Sequence, residues 1–403
     1  MGDGLGEGQR FSSDTTENFF EVREPQNKLK TDIIVGFFKA YAPIILSKAT
    51  EIDYIDLYAG RGYYDRCAVD TSLKGPVDAT ALAILRAIIA EPRWAASVRT
   101  WFNDGDRDYV RQLRSAISVL PSVDRLRFRP RITEAAVSDD LAAVFRQRKN
   151  VPTFFFFDPY GYIGLTRELL RAALTKSWGC DIAFFFNYRR INMNLGKAAP
   201  DPHLDMLFGI QRLADLRAQV SRVEEAVERE SIVLARLKEA MREIGATYFL
   251  SYRFRAPDGQ ASHHLAYVTT HIKGYDTMKD RMARESAKSP DGVPYFEFVP
   301  DAPASEQIGL FDRQVIIPPR DFPYSVRALA NELHQRYLAR TVRLSMMFRA
   351  HNVGKPYIMP NYRDAVWNLR DRHLVTLRRE GGGEPRRGQC PDDTDITFVA
   401  TPA

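Results

Sequence analysis

The stretches DLYAGRG, at Asp56–Gly62, and FFDPYG, at Phe156–Gly161, decide the fold of this chain. Each belongs to the end of an apolar run with the length of a buried strand, at Ile52–Tyr58 and Thr153–Phe157. In the first stretch glycines follow the strand and allow a tight turn, and in the second an Asp-Pro pair stops the strand. Both stretches therefore predict strands whose carboxyl ends open into turns, which is where parallel sheets bind ligands.

Strands alternate with helices on both sides of these stretches. This alternation predicts βαβ units around a parallel sheet, and the near-continuous apolar runs are typical of strands covered on both faces. Further strands are expected at Val98–Phe102, Arg125–Ile132 and Asp181–Phe186, and helices at Asn27–Leu46, Asp78–Ala90, Tyr109–Leu120, Ser138–Arg148 and Arg167–Leu174. A hairpin around Pro257-Asp258-Gly259 is expected to add two antiparallel strands. The sequence therefore predicts an α/β fold with a Rossmann-like sheet.

The 403 residues are too many for one average core, so several domains are expected. The expected order is a flexible leader at 1–26, an α/β domain at 27–300 with a helical insertion at about 204–246, a linker at 301–320 and a C-terminal domain at 321–403. Three helices followed by a hairpin with a Gly-rich tip predict a winged helix in that last domain. Its helices are expected at Ser325–Leu338, Thr341–Ala350 and Tyr362–His373, the last of them capped by Asn361.

Positive charge is concentrated in the C-terminal domain. The whole chain has a net charge of +6, whereas Arg320–Gln389 alone carries 14 Arg or Lys against 6 Asp or Glu. A basic module of this kind indicates a polyanionic partner. Nucleic acid is favoured over a protein partner, and DNA over RNA.

Several classes of protein are disfavoured by the composition. No apolar run has the length of a membrane-spanning helix and no hydrophobic signal segment is present, so a cytoplasmic protein is expected. Cys67, Cys180 and Cys390 lie far apart, and the seven histidines show no ligand spacing. Neither disulfides nor a protein-bound metal is therefore expected.

A cofactor site is expected at the first glycine turn. Glycines let the backbone approach a ligand closely, and an acidic residue at the end of the next strand can hold two ribose hydroxyls. This combination predicts a domain of the class I S-adenosylmethionine (SAM) methyltransferase type. For the ribose-binding acid, Asp104 is preferred and Asp106 is the alternative. The expected cofactor-binding residues are Asp56, Ala59, Gly60, Gly62, Asp104 and, beside the adenine ring, Glu134.

FFDPYG indicates the chemistry of the site. Exocyclic amines of nucleobases are poor nucleophiles because their lone pair is delocalised into the ring. The Asp158 carboxylate and the Pro159 carbonyl can accept hydrogen bonds from such an amine, and Tyr160 offers a π face on which the base can stack. A simple β-turn that ends a strand is the alternative interpretation. We therefore expect Asp158, Pro159, Tyr160 and Gly161 to form a catalytic segment.

Basic and amide side chains near these segments are the expected nucleic-acid contacts. Asn187, Arg189 and Arg190 follow the fifth strand and either contact the polymer or cap helices and tie loops down. In the C-terminal domain, arginines on the third helix and around the hairpin are expected to neutralise phosphates. These arginines are Arg363, Arg370, Arg378, Arg379, Arg386 and Arg387.

Six ordered segments resemble a known bacterial family. They are KLKTDIIVGFFKAY, YIDLYAGRG, KGPVDATAL, PTFFFFDPYG, AFFFNYRRIN and LAYVTTHIKGYDTMKDRM, and NVGKPYIMPNYRDAVWNL follows nearer the C-terminus. Between about Lys28 and Asp301 the chain is similar to the three-Cys-motif partner (TcmP) family. One departure is FNDGD, where the family pattern leads us to expect Glu. The DPYG element also resembles the DPFG of tRNA guanine-N2 methyltransferases, which favours an amino target.

The resemblance to TcmP proteins implies a SAM-methyltransferase-like fold. It also implies a protein partner with a three-cysteine, radical-SAM-type motif, often in mobile-element or phage-defence settings. The residues that it highlights in this chain are Asp56, Gly60, Gly62, Asp158, Pro159, Gly161 and Asn187.

Two functions fit these patterns. The first is a SAM-dependent methyltransferase that acts on an exocyclic amino group of a nucleic-acid base, within a defence or mobile-element system. The second is a DNA-binding subunit that is non-catalytic or depends on its radical-SAM-type partner. A nuclease is disfavoured because the sequence has no PD-(D/E)xK motif and no His-metal cluster.

Overall fold

The computed structural model describes residues 22–67, 75–148, 150–197, 199–299 and 322–399. Its helices are α1 (Pro25–Leu46), α2 (Thr80–Ala90), α3 (Pro92–Ser97), α4 (Arg107–Ser118), α5 (Asp140–Gln147), α6 (Arg167–Leu174), α7 (Tyr188–Leu195), α8 (Pro202–Phe208), α9 (Ile210–Val220), α10 (Ala226–Glu243), α11 (Ile272–Arg284), α12 (Val326–Tyr337), α13 (Leu344–His351) and α14 (Met359–Asp371). Its strands are β1 (Val22–Arg23), β2 (Ile52–Asp56), β3 (Tyr63–Tyr64), β4 (Arg66–Cys67), β5 (Val77–Asp78), β6 (Val98–Asp104), β7 (Arg131–Glu134), β8 (Thr153–Phe157), β9 (Asp181–Phe186), β10 (Tyr248–Arg255), β11 (Ala261–Thr269), β12 (Glu297–Phe298), β13 (Thr341–Arg343), β14 (Val375–Arg378) and β15 (Asp395–Phe398).

An eight-stranded, mostly parallel sheet forms the centre of the molecule. Its strand order is β12-β10-β11-β9-β8-β2-β6-β7, and β11 is antiparallel to both of its neighbours. The predicted α/β class, with a parallel sheet finished by an antiparallel hairpin, is confirmed. The third strand was misplaced: Val123–Arg125 forms a 3-10 turn, and β7 begins only at Arg131.

The apolar runs alternate between two cores, one on each face of the sheet. In β8, Phe155 and Phe157 pack on one face, whereas Phe154 and Phe156 pack on the other. All four rings are buried, and burial of each contributes about 2 kcal/mol relative to exposure. Helix α1 covers the second face with an apolar stripe that includes Phe37. Both faces of the sheet are therefore covered, whereas the carboxyl ends of its strands can contribute residues to a site.

The order of the strands defines where the ligand-binding edge lies. From β2 the chain continues to β6 and β7 on one side of the sheet, and then crosses to β8 and β9 on the other side. Strands β2, β6, β8 and β9 are parallel, so their carboxyl ends share one edge. The turns after β2 and β8 adjoin at the point where the strand order reverses, which is the usual position of a ligand crevice in open α/β sheets.

The C-terminal part forms a separate core around α12, α13 and α14 and the small antiparallel sheet β13-β15-β14. The helix expected at Thr341–Ala350 was wrong at its start, because Thr341–Arg343 pairs with Asp395–Thr397 as β13. Asn361 was predicted as the N-cap of the third helix, but the N-cap position is Ile358, and Asn361 caps the helix start from the first turn instead. Helix α14 begins at Met359, and Asn361 lies inside its first turn, where its Oδ1 accepts the backbone N–H of Ile358 at 3.0 Å. The winged-helix assignment stays a prediction.

The predicted domain boundaries also stay predictions. Most of the expected leader (1–26) and the linker (301–320) fall on residues outside the described ranges, although α1 already begins at Pro25. Helices α8, α9 and α10 occupy most of the span in which a helical insertion was expected. None of the helices in the described ranges combines the length and the apolar character needed to cross a membrane.

Candidate functional site

A cavity of about 690 Å³ opens at the carboxyl edge of the sheet, beside the turns that follow β2 and β8. This volume is within the usual range for a small-molecule site. The structure brings together in its lining all four residues of the predicted catalytic segment and five others singled out from the sequence; the nine are Gly60, Asp104, Asp158, Pro159, Tyr160, Gly161, Asn187, Arg189 and Arg190.

The turn after β2 is held by the acid at the end of β6. The backbone N–H of Gly60 donates to Asp104 Oδ2 at 2.8 Å, and the N–H of Asp106 donates to Asp104 Oδ1 at 2.9 Å. Gly60 has a left-handed φ of +59°, and a Cβ placed there would meet no atom of the described residues within 4 Å. The turn therefore presents bare backbone to the cavity, with a carboxylate next to it.

Other members of the predicted cofactor set lie outside the cavity lining. A Cβ at Gly62 would come within 2.7 Å of Leu113 Cδ1, so this glycine serves close packing. Asp56 is buried beneath the turn and accepts the N–H of Tyr58 at 3.1 Å; burial raises the pKa of its carboxyl well above the usual range, although this hydrogen bond opposes the shift. Ala59 is buried as well, and Glu134 is exposed at the end of β7.

Asp106 has a different local role from Asp104. Its Oδ1 accepts the backbone N–H groups of Asp108 and Tyr109, at 2.7 and 3.0 Å, and so caps α4. Of the two acids between which the sequence left the choice open, only Asp104 lines the cavity.

Asp158 forms an ion pair that the sequence analysis did not anticipate. Its Oδ2 accepts a hydrogen bond from the Nζ of Lys30, a residue of α1 whose side chain is only 6% exposed. Lys30 Nζ also lies 4.6 Å from the ring centroid of Phe185. Burial by itself would lower the pKa of Lys30, but the pKa is raised because Asp158, together with Tyr64 and Asp56, outweighs the effect of burial. Lys30 is therefore a fixed ammonium group behind the carboxylate.

Tyr160 and Arg190 form the rim of the cavity. The Tyr160 side chain is 82% exposed, and the guanidinium carbon of Arg190 lies 4.8 Å from its ring centroid. Gly161, with φ +86°, lets Arg190 approach, because a Cβ there would lie 3.1 Å from Arg190 Cδ. An aromatic face backed by a cation is thus held at the entrance.

His263 and Phe185 form an apolar part of the cavity wall. Their rings stack at 4.9 Å with an interplanar angle of 9°. Burial, and secondarily the charge of Lys30, lowers the pKa of His263 to about 4, so its imidazole is neutral at pH 7. Its neighbour His264 points into the other side of the sheet, where it stacks on Phe186.

The residues after β9 are engaged in local structure as well as in lining the cavity. Asn187 Oδ1 accepts the N–H of Arg190 at 2.8 Å and caps α7. Arg189 forms an ion pair with Asp258 in the β10–β11 hairpin. Of the two alternatives that the sequence left open, the helix-capping role is therefore visible for Asn187, while polymer contact stays a prediction.

The six C-terminal arginines that were predicted to contact phosphates fall into two groups. Arg363 pairs with Asp392 at 2.8 Å, Arg370 with Glu384 at 2.6 Å and Arg387 with Asp371 at 2.8 Å. By contrast, three exposed arginines make no side-chain hydrogen bond or ion pair to any residue of the described ranges; they are Arg378, Arg379 and Arg386. Among the six arginines predicted to contact phosphates, those without an acidic partner in the described ranges therefore all lie at the β14–β15 hairpin.

Sequence reasoning missed several site residues, among them Lys30, Phe185 and His263. A signal existed for Lys30, because it occupies the same helical stripe as Ile33, Ile34 and Phe37, where a charged residue is costly unless it is paired. The partner of such a lysine lies on a distant strand, so the spacing of residues could not reveal it.

Comparison with known proteins gives no assignment of family. No protein-family profile and no curated protein matches the chain. Similar solved structures include a Legionella pneumophila DUF519 protein (10% identity, 60% of this chain and 85% of that one, TM-score 0.34) and the methyltransferase domain of bacterial CtHen1 (12%, 60% and 98%, TM-score 0.32). A putative rRNA methylase from Clostridium thermocellum is also similar (12%, 58% and 96%, TM-score 0.29). Scores this low carry no argument about this chain, and the resemblance to TcmP proteins stays a prediction.

Proposed function

We propose that this chain is a SAM-dependent methyltransferase that acts on an exocyclic amino group of a nucleic-acid base. The observation that carries the proposal is the presence of two elements in one cavity. The Gly60 turn, bonded to Asp104, faces the segment Asp158-Pro159-Tyr160 across the point where the strand order reverses.

The first element fits the cofactor. The open space at the Gly60 α-carbon leaves room for the methionine portion of SAM, and the Asp104 carboxylate lies beside it for the ribose hydroxyls. Each Asp104 oxygen already accepts one backbone N–H and keeps a lone pair for another donor. When bound, SAM supplies an electrophilic methyl group.

The second element fits an amine. The Asp158 carboxylate and the Pro159 carbonyl can accept both protons of an amino group and orient its nitrogen. Tyr160, exposed at the rim beside Arg190, offers a face for a base that has left its stack.

The polymer is proposed from the C-terminal part. We take its helices and three-stranded sheet to be a winged helix, whose hairpin arginines Arg378, Arg379 and Arg386 contact the phosphates of duplex DNA. The three-Cys-motif radical-SAM-type partner and the phage-defence setting are part of the proposal and are supported only by the sequence resemblance.

Transfer of labelled methyl groups from SAM to mixed DNA and RNA tests the proposed function. We expect transfer by the unaltered chain and loss of at least about 100-fold in Asp158→Ala, since removal of one positioned transition-state contact has effects of this size. Asp124→Ala, an exposed aspartate in the turn before β7, is the matched control and should keep full activity. No transfer to any polynucleotide would overturn the proposal. Transfer that requires the partner protein would favour the partner-dependent alternative.

A further inference from the structure

Lys30 occupies a position where a lysine is unusual. Helix α1 presents Lys30, Ile33, Ile34 and Phe37 on the face that packs against the sheet, and the lysine is 5% exposed. Transferring an ammonium group out of water is costly unless an opposite charge and hydrogen bonds receive it. A leucine or methionine would fill such a position at no electrostatic cost, so the charge itself calls for an explanation.

The contacts of Lys30 all lead to the cavity wall. Its Nζ donates to Asp158 Oδ2 and lies over the ring of Phe185, and both of those residues line the cavity. The Asp158 side chain is 23% exposed, against 6% for that of Lys30. The ammonium group therefore stands on the protein side of the carboxylate. Asp158 Oδ1 makes no hydrogen bond to any residue of the described ranges.

We infer that Lys30 is a positioning residue for methyl transfer: its ammonium group holds the Asp158 carboxylate against the wall, with Oδ1 left to accept a hydrogen bond from the substrate amine. This inference rests on the proposed function. The ammonium binds one oxygen and restricts rotation of the carboxylate. The raised pKa of Lys30 means that it acts as a fixed charge and not as a base.

The test is a set of variants read by steady-state methyl transfer and by calorimetric SAM binding. Lys30→Met removes the charge but keeps an apolar filling of similar length, and Lys30→Arg keeps the charge. Asp158→Asn and the double variant Lys30→Met/Asp158→Asn complete a cycle. Lys28→Met is the matched control, because Lys28 lies on the same helix and makes an exposed i,i+4 pair with Asp32.

We expect Lys30→Met to lower kcat about 100-fold while the Kd for SAM stays within about threefold, because the lost interaction acts on the transferring group. Lys30→Arg should recover at least about tenfold of that loss. The double variant should be no slower than Asp158→Asn alone, since two residues that act as a unit are not additive. This variant leaves no unpaired buried charge, so it keeps the test valid if Lys30→Met folds poorly.

Four outcomes would overturn the inference. They are full activity in Lys30→Met, equal losses in Lys30→Met and Lys30→Arg, additive losses in the double variant, and an equal loss in Lys28→Met. Each of these leaves the proposed function standing, because the unaltered chain is active in all of them. An unaltered chain that transfers no methyl group overturns the proposed function, and this inference falls with it.

Discussion

At the residue scale, Gly60 and Gly62 belong to the same turn but have different structural roles. Gly60 faces the cavity with open space beyond its α-carbon, whereas Gly62 packs against Leu82 and Leu113. Both have positive φ, so either substitution strains the backbone. The sequence identified both as ligand-binding glycines because the spacing of a Gly-x-Gly motif does not reveal which one meets a neighbouring helix.

Alanine substitution separates these two duties. Gly62→Ala adds overpacking to backbone strain and should lower the free energy of unfolding by about 2–4 kcal/mol. Gly60→Ala carries backbone strain alone and should cost about 1–2 kcal/mol. Urea denaturation followed by circular dichroism measures both values. Equal losses of stability would contradict the packing role of Gly62.

His263 makes stability depend on pH in a defined window. Its pKa is lowered by burial to about 4 in the folded chain, against an ordinary value near 6.5 when unfolded. Between these values the unfolded chain binds more protons, so this group lowers stability as pH falls from about 6.5 to 4. The loss should be up to about 3 kcal/mol and should be absent in His263→Gln. Unfolding curves at pH 4, 5, 6 and 7 decide the point, and identical pH dependence in both chains would refute it.

At the scale of secondary-structure elements, the sequence predicted best where a residue ends an element sharply. Strand β8 was predicted with its true bounds because Asp158-Pro159 stops it, and β9 ends directly before Asn187, which caps α7. Strand β7 was misplaced because the basic stretch before Arg131 has no clean alternation. Strand β13 was missed because its three residues are defined by pairing with β15, which lies about 50 residues later in the sequence.

The charges of the C-terminal elements allow the contribution of the β14–β15 hairpin to DNA binding to be compared with that of helix α14. Replacing Arg378, Arg379 and Arg386 by Gln should weaken binding of duplex DNA and flatten the dependence of log K on log salt by about two to three units. Replacing Arg363 and Arg370 by Gln should change that slope by less than about one unit, because Asp392 and Glu384 already neutralise them. Fluorescence anisotropy at several salt concentrations measures both slopes. A larger change of the salt slope on replacing Arg363 and Arg370 would instead indicate that helix α14 contacts the phosphates.

At the scale of the whole molecule, the segments GYDTMKDRM and NVGKPY lie outside the site and join the α/β sheet to the C-terminal part. Lys279 of α11 donates to the backbone oxygen of Asn352 at 2.7 Å, and the N–H of Gly354 donates to the hydroxyl of Tyr275 at 3.0 Å. These residues belong to the GYDTMKDRM and NVGKPY stretches. The sequence could not show that they meet, because they lie about 75 residues apart.

Lys279 predicts how this junction responds to pH. Burial lowers its pKa to about 7 in the folded chain, whereas an unfolded lysine keeps a value near 10.4. The unfolded chain therefore binds more protons between these values, and this group raises stability as pH increases from about 7 to 10. Lys279→Met should lack that gain. Thermal unfolding of both chains across this range provides the comparison, and parallel curves would exclude the effect.

SAM binding at the Gly60 turn underlies the proposed methyl transfer, and isothermal titration calorimetry measures it. We expect one molecule of SAM to bind the unaltered chain and no heat of binding in Gly60→Arg, whose side chain would enter the cavity. Gly382→Arg is the control, since Gly382 has a comparable positive φ and open space but lies in the C-terminal hairpin. It should bind SAM as the unaltered chain does. No binding by the unaltered chain, or equal binding by Gly60→Arg, would contradict a SAM site at the Gly60 turn.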